Sequence, residues 1–280
     1  MSFYVSLSGL KAAAADLSTI SNNVANVNST AFKKSRAVFN DLFAAAPMQT
    51  TSTVAGQGVR LAGVTQQFTQ GTIESTDKVL DLAITGEGFF TVRSQNADGT
   101  TGDITYTRNG AFAVDQDRYV VDQTGSRLQV FPVDPSTGVI QGAMDTANLV
   151  PLQIPLTNPN DPTAQLTSVG VSKTGIISAV YSNDETINLG VTAMATFPNI
   201  EGLRQQGDAH WQVTRESGDT TFGTANSGLF GTINSGALER ANVDITEELV
   251  ALIAAQRNFQ ANAKAIETGK AMTDSVINIR

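Results

Sequence analysis

The two ends of this chain carry a seven-residue apolar repeat that its middle lacks. Phe3, Leu10, Leu17 and Val24 recur every seven residues, with Leu7 and Ala14 at the interleaved heptad position. Residues 1–28 therefore read as a helix with one narrow apolar seam, which Ile20 and Val27 widen near its end. Asn22, Asn23, Asn26 and Asn28 compete for backbone hydrogen bonds there, and they predict a stop before Ser29. At the far end Ile245, Leu252, Phe259 and Ile266 repeat the spacing, Leu249, Ala263 and Ile277 take the alternate position, and Val250 and Ile253 extend the stripe. Asp244 lies three residues before Glu247, the spacing of a capping box, and Glu247-Glu248 place negative charge at the positive end of the helix dipole. A helix is expected from about Ile245. Continued to Arg280 it would span roughly 50 Å, at ~1.5 Å per residue, unless Gly269 breaks it.

Between the ends the pattern is that of strands and tight turns, as in Leu82-Ala83-Ile84, Phe89-Phe90-Thr91-Val92 and Ile104-Thr105-Tyr106. Asn109-Gly110, between Tyr106 and Phe112, is a hairpin signal. Pro132, Pro135, Pro151, Pro155, Pro159 and Pro162 mark residues 132–168 as connections with short edge strands, or a small lobe on the outer surface. Strand character resumes from Val169 to Phe197, and residues 214–236 read as a long surface loop. The fold class is α+β, with N- and C-terminal helices forming a coiled-coil layer and a central, mainly antiparallel β domain. Its expected parts are an N-terminal helix and following loop (1–46), a first β part (47–131), the Pro-rich connection or reduced outer domain (132–168), a second β part (169–236) and a C-terminal helix (237–280). Periodicity leaves two uses of the seams open: an intramolecular helical hairpin, or burial against neighbouring chains.

A chain of 280 residues can bury a proper core without staples, and it has 0 cysteines with which to make any. A net charge of -8 argues against nucleic-acid and anionic-lipid partners. Met1-Ser2-Phe3-Tyr4-Val5 lacks the basic and apolar regions of a secretory signal, and no stretch approaches the ~20 apolar residues of a spanning helix. Catalytic chemistry is hard to build here. His210 is the only histidine and stands beside the only tryptophan, Trp211, which favours a structural or surface role. Gly86-Glu87-Gly88 lacks the third glycine of a dinucleotide fingerprint and reads as a turn. Asp115-Gln116-Asp117 lacks the glycine and closing glutamate of a calcium loop. Glu247 and Glu248, adjacent on a helix, should diverge and act in capping, and Lys33, Lys34 and Arg36 read as a solvated basic loop. No catalytic, cofactor-binding or metal-binding residue is assigned.

Three separated blocks are more specific. The first is Ser6-Leu7-Ser8-Gly9-Leu10, Ile20-Ser21-Asn22-Asn23-Val24-Ala25-Asn26-Val27-Asn28 and Phe32-Lys33-Lys34-Ser35-Arg36. The second is Gln70-Gly71-Thr72-Ile73-Glu74-Ser75-Thr76, Leu80 through Gly86-Glu87-Gly88-Phe89-Phe90, and Tyr106-Thr107-Arg108-Asn109-Gly110-Ala111-Phe112. The third is Ser235-Gly236-Ala237-Leu238-Glu239, Asn242-Val243-Asp244, Ala255-Gln256-Arg257-Asn258-Phe259-Gln260-Ala261-Asn262 and Asn278-Ile279-Arg280. In this order they resemble the flagellar rod and hook family.

That resemblance implies a tubular polymer whose terminal helices pack as coiled coils around a channel, and it selects burial between subunits, with Leu7, Leu10, Leu17, Val24, Leu249, Leu252, Ile253, Phe259 and Ile266 as the interface. Asn22, Asn23, Asn26, Phe32, Gly86, Gly88, Phe89, Asn242, Asp244, Gln256 and Arg257 carry the family pattern. The implied partners are further copies of the chain, a hook cap, the distal rod and hook–filament junction proteins, and the flagellar type III export apparatus. The N-terminal block and the Asn278-Ile279-Arg280 ending favour a hook subunit, placed outside the cell without a cleaved signal. The short 132–168 segment favours the distal rod as rival, and a secreted β-rich hydrolase is a remote alternative. Ala31 and Arg118 stand where the family usually has glycine; positive φ at either would cost of order 1 kcal/mol.

Overall fold

The computed structural model describes residues 2–42, 56–95 and 101–278, and the chain divides into two compact units. One gathers the chain up to Asn28, Lys33–Gln67 and Val243 onward; the other holds Ser29–Phe32 and Phe68–Asn242. The first unit opens with α1 (Ser2–Ala25), which ends before Ser29 as its asparagines predict, with Asn26 turned back to donate to the Asn22 carbonyl. β1 (Ser35–Asp41) and β2 (Val59–Gln66) follow as an antiparallel pair.

The second unit is built from β3 (Ile73–Ser75), β4 (Leu82–Thr85), β5 (Phe89–Gln95), β6 (Thr101–Thr107), β7 (Ala113–Val114), β8 (Val120–Val121) and β9 (Arg127–Phe131). It continues through β10 (Val150–Pro151), β11 (Leu166–Val171), β12 (Ile176–Tyr181), β13 (Thr186–Thr192) and β14 (Met194–Thr196). β15 (Arg204–Gly207), β16 (His210–Gln212), β17 (Thr221–Gly223), β18 (Thr232–Ser235) and β19 (Ala237–Glu239) complete it. α2 (Ile245–Asn278) then returns to the first unit. Helices at both ends of an antiparallel β domain are the α+β arrangement expected. No helix among the described residues is long and apolar enough to cross a membrane.

The main sheet runs β11-β12-β13-β9-β5-β6-β16-β15, and β5 near its middle explains why two phenylalanines stand side by side. Successive strand residues face opposite ways, so Phe89 and Phe90 serve two cores. Phe90 packs edge-on against Phe112 at 5.6 Å, in the cluster of Leu82, Ile84, Val92, Leu128, Ile154, Ile177 and Ile233. Phe89 meets Trp211 at 5.6 Å and Phe68 at 5.7 Å, in the cluster of Tyr106, Phe197 and Leu203.

Three local expectations are corrected. Asn109-Gly110 does not close a hairpin, because β6 pairs with β5 and β16 and not with β7. The Gly110 carbonyl instead accepts from the Leu82 N–H at 2.9 Å, and a Cβ on Gly110 would lie 1.7 Å from the Leu82 carbonyl oxygen. Close backbone approach is what requires glycine there. Residues 214–236 are not a plain surface loop: they contain β17 and β18, and Ile233 of β18 is fully buried opposite Ile84 of β4.

Nor does the Pro-rich stretch lie only on the outer surface. Its prolines limit it to β10, isolated bridges and the first residues of β11, but they do not prevent alternate side chains from facing inward. Leu152 and Ile154 are buried in the main core, where the Leu152 N–H donates to Leu128 and the Ile154 N–H to Arg118. Ile154→Ala should therefore lower the unfolding free energy by about 2–5 kcal/mol, the range of buried large-to-small substitutions. Leu156→Ala, two residues on and exposed, should change it by about 0.5 kcal/mol or less in the same denaturant titration.

Candidate polymer interface

α1 and α2 pack together, so the chain does form an intramolecular helix pair. Its register follows from two contacts. Gly9 lies against Asn262, where an added Cβ would meet Oδ1 at 2.6 Å, and Asn23 Nδ2 donates to Glu248 Oε2 at 3.1 Å. Numbering rises along one helix as it falls along the other, so the pair is antiparallel. Extending that register to Ser2 reaches residue 269, and the remainder of α2 projects past α1 by about 13 Å at ~1.5 Å per residue. Met272 and Ile277 are exposed on that projection.

The predicted interface residues thus divide in two. Leu7, Leu10, Leu17, Val24, Leu252 and Ile266 are half-buried within the subunit, and Ala13, Ile20 and Ala255 are buried. Assigning both seams wholly to neighbouring chains is corrected accordingly. Leu249 is 46% exposed, Ile253 49% and Phe259 37%, and Ile245 and Val250 are open beside them. Val250 and Ile253 line a shallow groove with Ala254, Arg257 and Asn258. Spacing alone could not separate these stripes, because a helix with apolar residues over more than one face satisfies the heptad in more than one way.

A buried polar cluster secures the pair. Asp244 caps α2, accepting from the Thr246 N–H at 2.7 Å and the Glu247 N–H at 3.3 Å. Glu248 is buried and its Oε1 lies 2.7 Å from Lys34 Nζ; Glu247 Oε2 also reaches that ammonium, at 3.5 Å. Adjacent glutamates therefore converge here, because the cation comes to them from outside the helix. Asn23 joins the same carboxylate to the segment after α1, donating to the Ser35 carbonyl and accepting from the Ser35 N–H, both at 2.9 Å. Burial works against the Lys34 charge, but the hydrogen bond and charge of Glu248, with Glu247, outweigh it and raise its pKa. Asp16 is pushed up by burial and by Glu248. Lys33 is fully buried, so of the expected solvated cluster only Arg36 is exposed.

In the β unit, the remaining pattern residues gather where the chain enters and leaves. The Ala31 N–H donates to the Glu239 carbonyl at 2.8 Å, the Asn242 N–H to Phe32 at 3.4 Å, and Asn242 Nδ2 to Thr69 Oγ1 at 2.8 Å. Glu239 is fully buried; its Oε1 accepts from the Gly71 N–H at 2.9 Å and its Oε2 lies 3.5 Å from Arg108 Nη1. Arg108 stacks over Phe89. Arg108 and Glu239 are site residues that the sequence signals only weakly, by a charged side chain directly after β6 and another at the end of β19. Gly86 and Gly88 frame the turn before β5, and Gln256 and Arg257 are exposed on α2.

Three family models match in chain order: "Flagella basal body rod protein" on residues 3–33, "Flagellar hook protein FlgE/F/G D1 domain" on 83–179 and "Flagellar basal body rod FlgEFG protein C-terminal" on 234–279. The Bacillus subtilis flagellar basal-body rod protein FlgG is 33% identical over 100% of this chain and 98% of its own. The chain belongs to the flagellar hook and rod protein family. Its FlgG relative from Buchnera aphidicola subsp. Schizaphis graminum is 32% identical over 97% of this chain and 96% of its own. The flagellar hook protein FlgE of Salmonella typhimurium is 29% identical with 100% of both chains covered. A solved Helicobacter pylori flagellar hook protein, FlgE2, matches 54% of this chain and 43% of its own at 16% identity and a TM-score of 0.25.

This member of the flagellar family is therefore a structural hook or rod subunit. Ala31 and Arg118 do take positive φ, 57° and 66°, as expected of positions where glycine is usual. Ala31 is nevertheless fully buried, and its N–H is committed to Glu239. The Arg108–Glu239 pair should be needed as a pair. Arg108→Ala, which leaves the carboxylate buried without its cation, should destabilise the β unit by about 3–5 kcal/mol in thermal or denaturant unfolding. The double variant Arg108→Met, Glu239→Gln should recover most of that loss.

Proposed function

We propose that this chain is the structural subunit of the flagellar hook, polymerising into a hollow, bendable tube that passes motor torque to the filament. The observation that carries the reading is the stripe Ile245, Leu249, Val250 and Ile253. It stays open after α1 and α2 have paired, in a chain that aligns end to end with hook relatives. Leu249, Ile253 and Phe259 bury against neighbouring subunits, while Leu7, Leu10, Leu17, Val24, Leu252 and Ile266 fix the helix pair and lend their remaining exposed surface. The β units form the outer tube. Export through the flagellar type III apparatus, and assembly beneath a cap between the distal rod and the hook–filament junction, belong to this reading.

A distal-rod subunit is the second reading, and one observation favours it. The Salmonella hook alignment runs over 418 positions against 280 residues here, so this chain has gaps opposite 138 of them, whereas the Buchnera rod alignment runs over 286. Complementation of a deletion strain separates the two. Curved hooks on finished rods in complemented cells, with bare rods in the deletion, support the hook; a missing distal rod in the deletion supports the rod.

Leu249→Asp with Ile253→Asp tests the interface. Both side chains are open in the subunit, so melting should shift by no more than the ~0.5 kcal/mol usual for surface positions. Assembly should fail, since each buried carboxylate would cost several kcal/mol at every subunit. Sedimentation and electron microscopy of secreted subunits read the result, and normal tubes would remove this face from the interface.

A further inference from the structure

The only histidine sits in a setting that a purely packed ring does not need. β15 is an edge strand whose described partner is β16, and β16 joins β6 through two register pairs, His210↔Thr107 and Trp211↔Tyr106. The hairpin's backbone ladder is thus short, and beside it stand the buried Trp211 and the Thr107 hydroxyl, which donates to the Ala209 carbonyl at 2.7 Å. The turn is strained, with Asp208 and Ala209 at φ of 50° and 57°. His210 fastens it at both ring nitrogens. Nε2 lies 2.7 Å from Asp122 Oδ2, and Nδ1 lies 2.9 Å from the Asp208 carbonyl oxygen.

Both partners are acceptors. Asp122 is buried, and its other oxygen already accepts from the Thr124 N–H at 2.8 Å, the Thr124 hydroxyl at 2.7 Å and the Ser126 N–H at 2.9 Å. A carboxylate so surrounded is held as the anion. Only the doubly protonated imidazolium can donate at both nitrogens; a neutral ring must turn a lone pair toward one acceptor. The charged groups facing the ring are Asp122 after β8 and Asp208 in the β15–β16 turn, and Asp103 of β6 lines the adjoining polar cleft with Ser94, Thr124 and Gln206. No Lys or Arg lines that cleft among the described residues.

We propose that His210 and Asp122 form a pH-operated latch that holds the β15–β16 edge hairpin on the sheet while the imidazole is charged and releases it to fray when the imidazole is neutral. The direction follows from linkage. Burial opposes charge on His210, but the hydrogen bond and charge of Asp122, with Asp208, raise its pKa above the ordinary 6.5. Its contribution is complete below 6.5 and is lost as pH rises through the raised value. Burial likewise opposes charge on Asp122, but the bonds from His210, Thr124 and Ser126 lower its pKa below the ordinary 3.8, so its contribution is lost only as pH falls through that lowered value. The latch is therefore engaged between these limits and opens on the alkaline side.

With one histidine in the chain, imidazole NMR of the full-length subunit reads the switch directly, and hydrogen exchange of residues 204–212, corrected for intrinsic rates, reads the hairpin. The expected result is an imidazole that titrates above its ordinary value. Hairpin protection should fall over the same interval, by about tenfold for each unit by which the pKa is raised. His210→Gln, which cannot be charged, should show fast exchange with no step in that interval. An imidazole titrating at or below its ordinary value overturns the latch. So does hairpin protection that ignores the titration, or His210→Gln keeping the wild-type step. If His210→Gln fails to fold, the wild-type titration and exchange decide the matter alone.

Discussion

The structure depends on one topological requirement: helices at opposite ends of the chain must meet. Asn23 and Glu248 are in contact across almost the whole sequence, so the intervening chain has to come back to where it left. The β unit meets this requirement internally. Its entering residues, Ala31 and Phe32, are hydrogen-bonded to its leaving residues, Glu239 and Asn242, and the buried carboxylate of Glu239 holds Gly71 of a third pass. Backbone groups confined in so crowded a place must be satisfied by one another, which accounts for a fully buried glutamate at a strand end. An ion pair of this kind contributes little net stability, but breaking it is costly, and that combination favours a single register over alternatives.

The same trade governs the helix pair. Much of its contact is made by small or polar residues, Gly9, Ala13, Asn23, Glu248 and Ala255, while larger apolar side chains remain in part on the outside. Close approach and a buried Lys34–Glu248–Asn23 network fix which faces meet, as a polar core residue does in a coiled coil. What remains open, Ile245, Leu249, Val250 and Ile253, is an apolar stripe on α2, and in the proposed polymer a second copy of the chain would cover it.

Much of this was legible in the sequence, and the rest was hidden for definite reasons. Both helices announced themselves by heptads and by Asn and Asp–Glu boundary signals, and α2 begins at the predicted Ile245. At Ala31 and Arg118 the sequence left open whether positive φ is kept or the loop changes shape, and both residues have positive φ. Strand pairing was less accessible. Gly110 serves a backbone crossing with Leu82 and not a two-residue turn, and a dipeptide cannot distinguish those uses. The prolines of residues 132–168 rightly excluded long ladders, but they say nothing of where Leu152 and Ile154 point. Which part of each seam the subunit's own helix covers depends on Gly9, Ala13 and Ala255, whose small size carries no apolar signal of its own.

Because the chain has 0 cysteines, one introduced thiol reports one position. The central claim, that the stripe left open by the helix pair is the stripe buried in the polymer, is tested most directly by comparing thiol labelling of Leu249→Cys and Ala255→Cys before and after assembly. The account predicts that the thiol of Leu249→Cys reacts readily in the free subunit and is protected in the tube, while that of Ala255→Cys is protected in both. Equal labelling of Leu249→Cys in subunit and tube would contradict it.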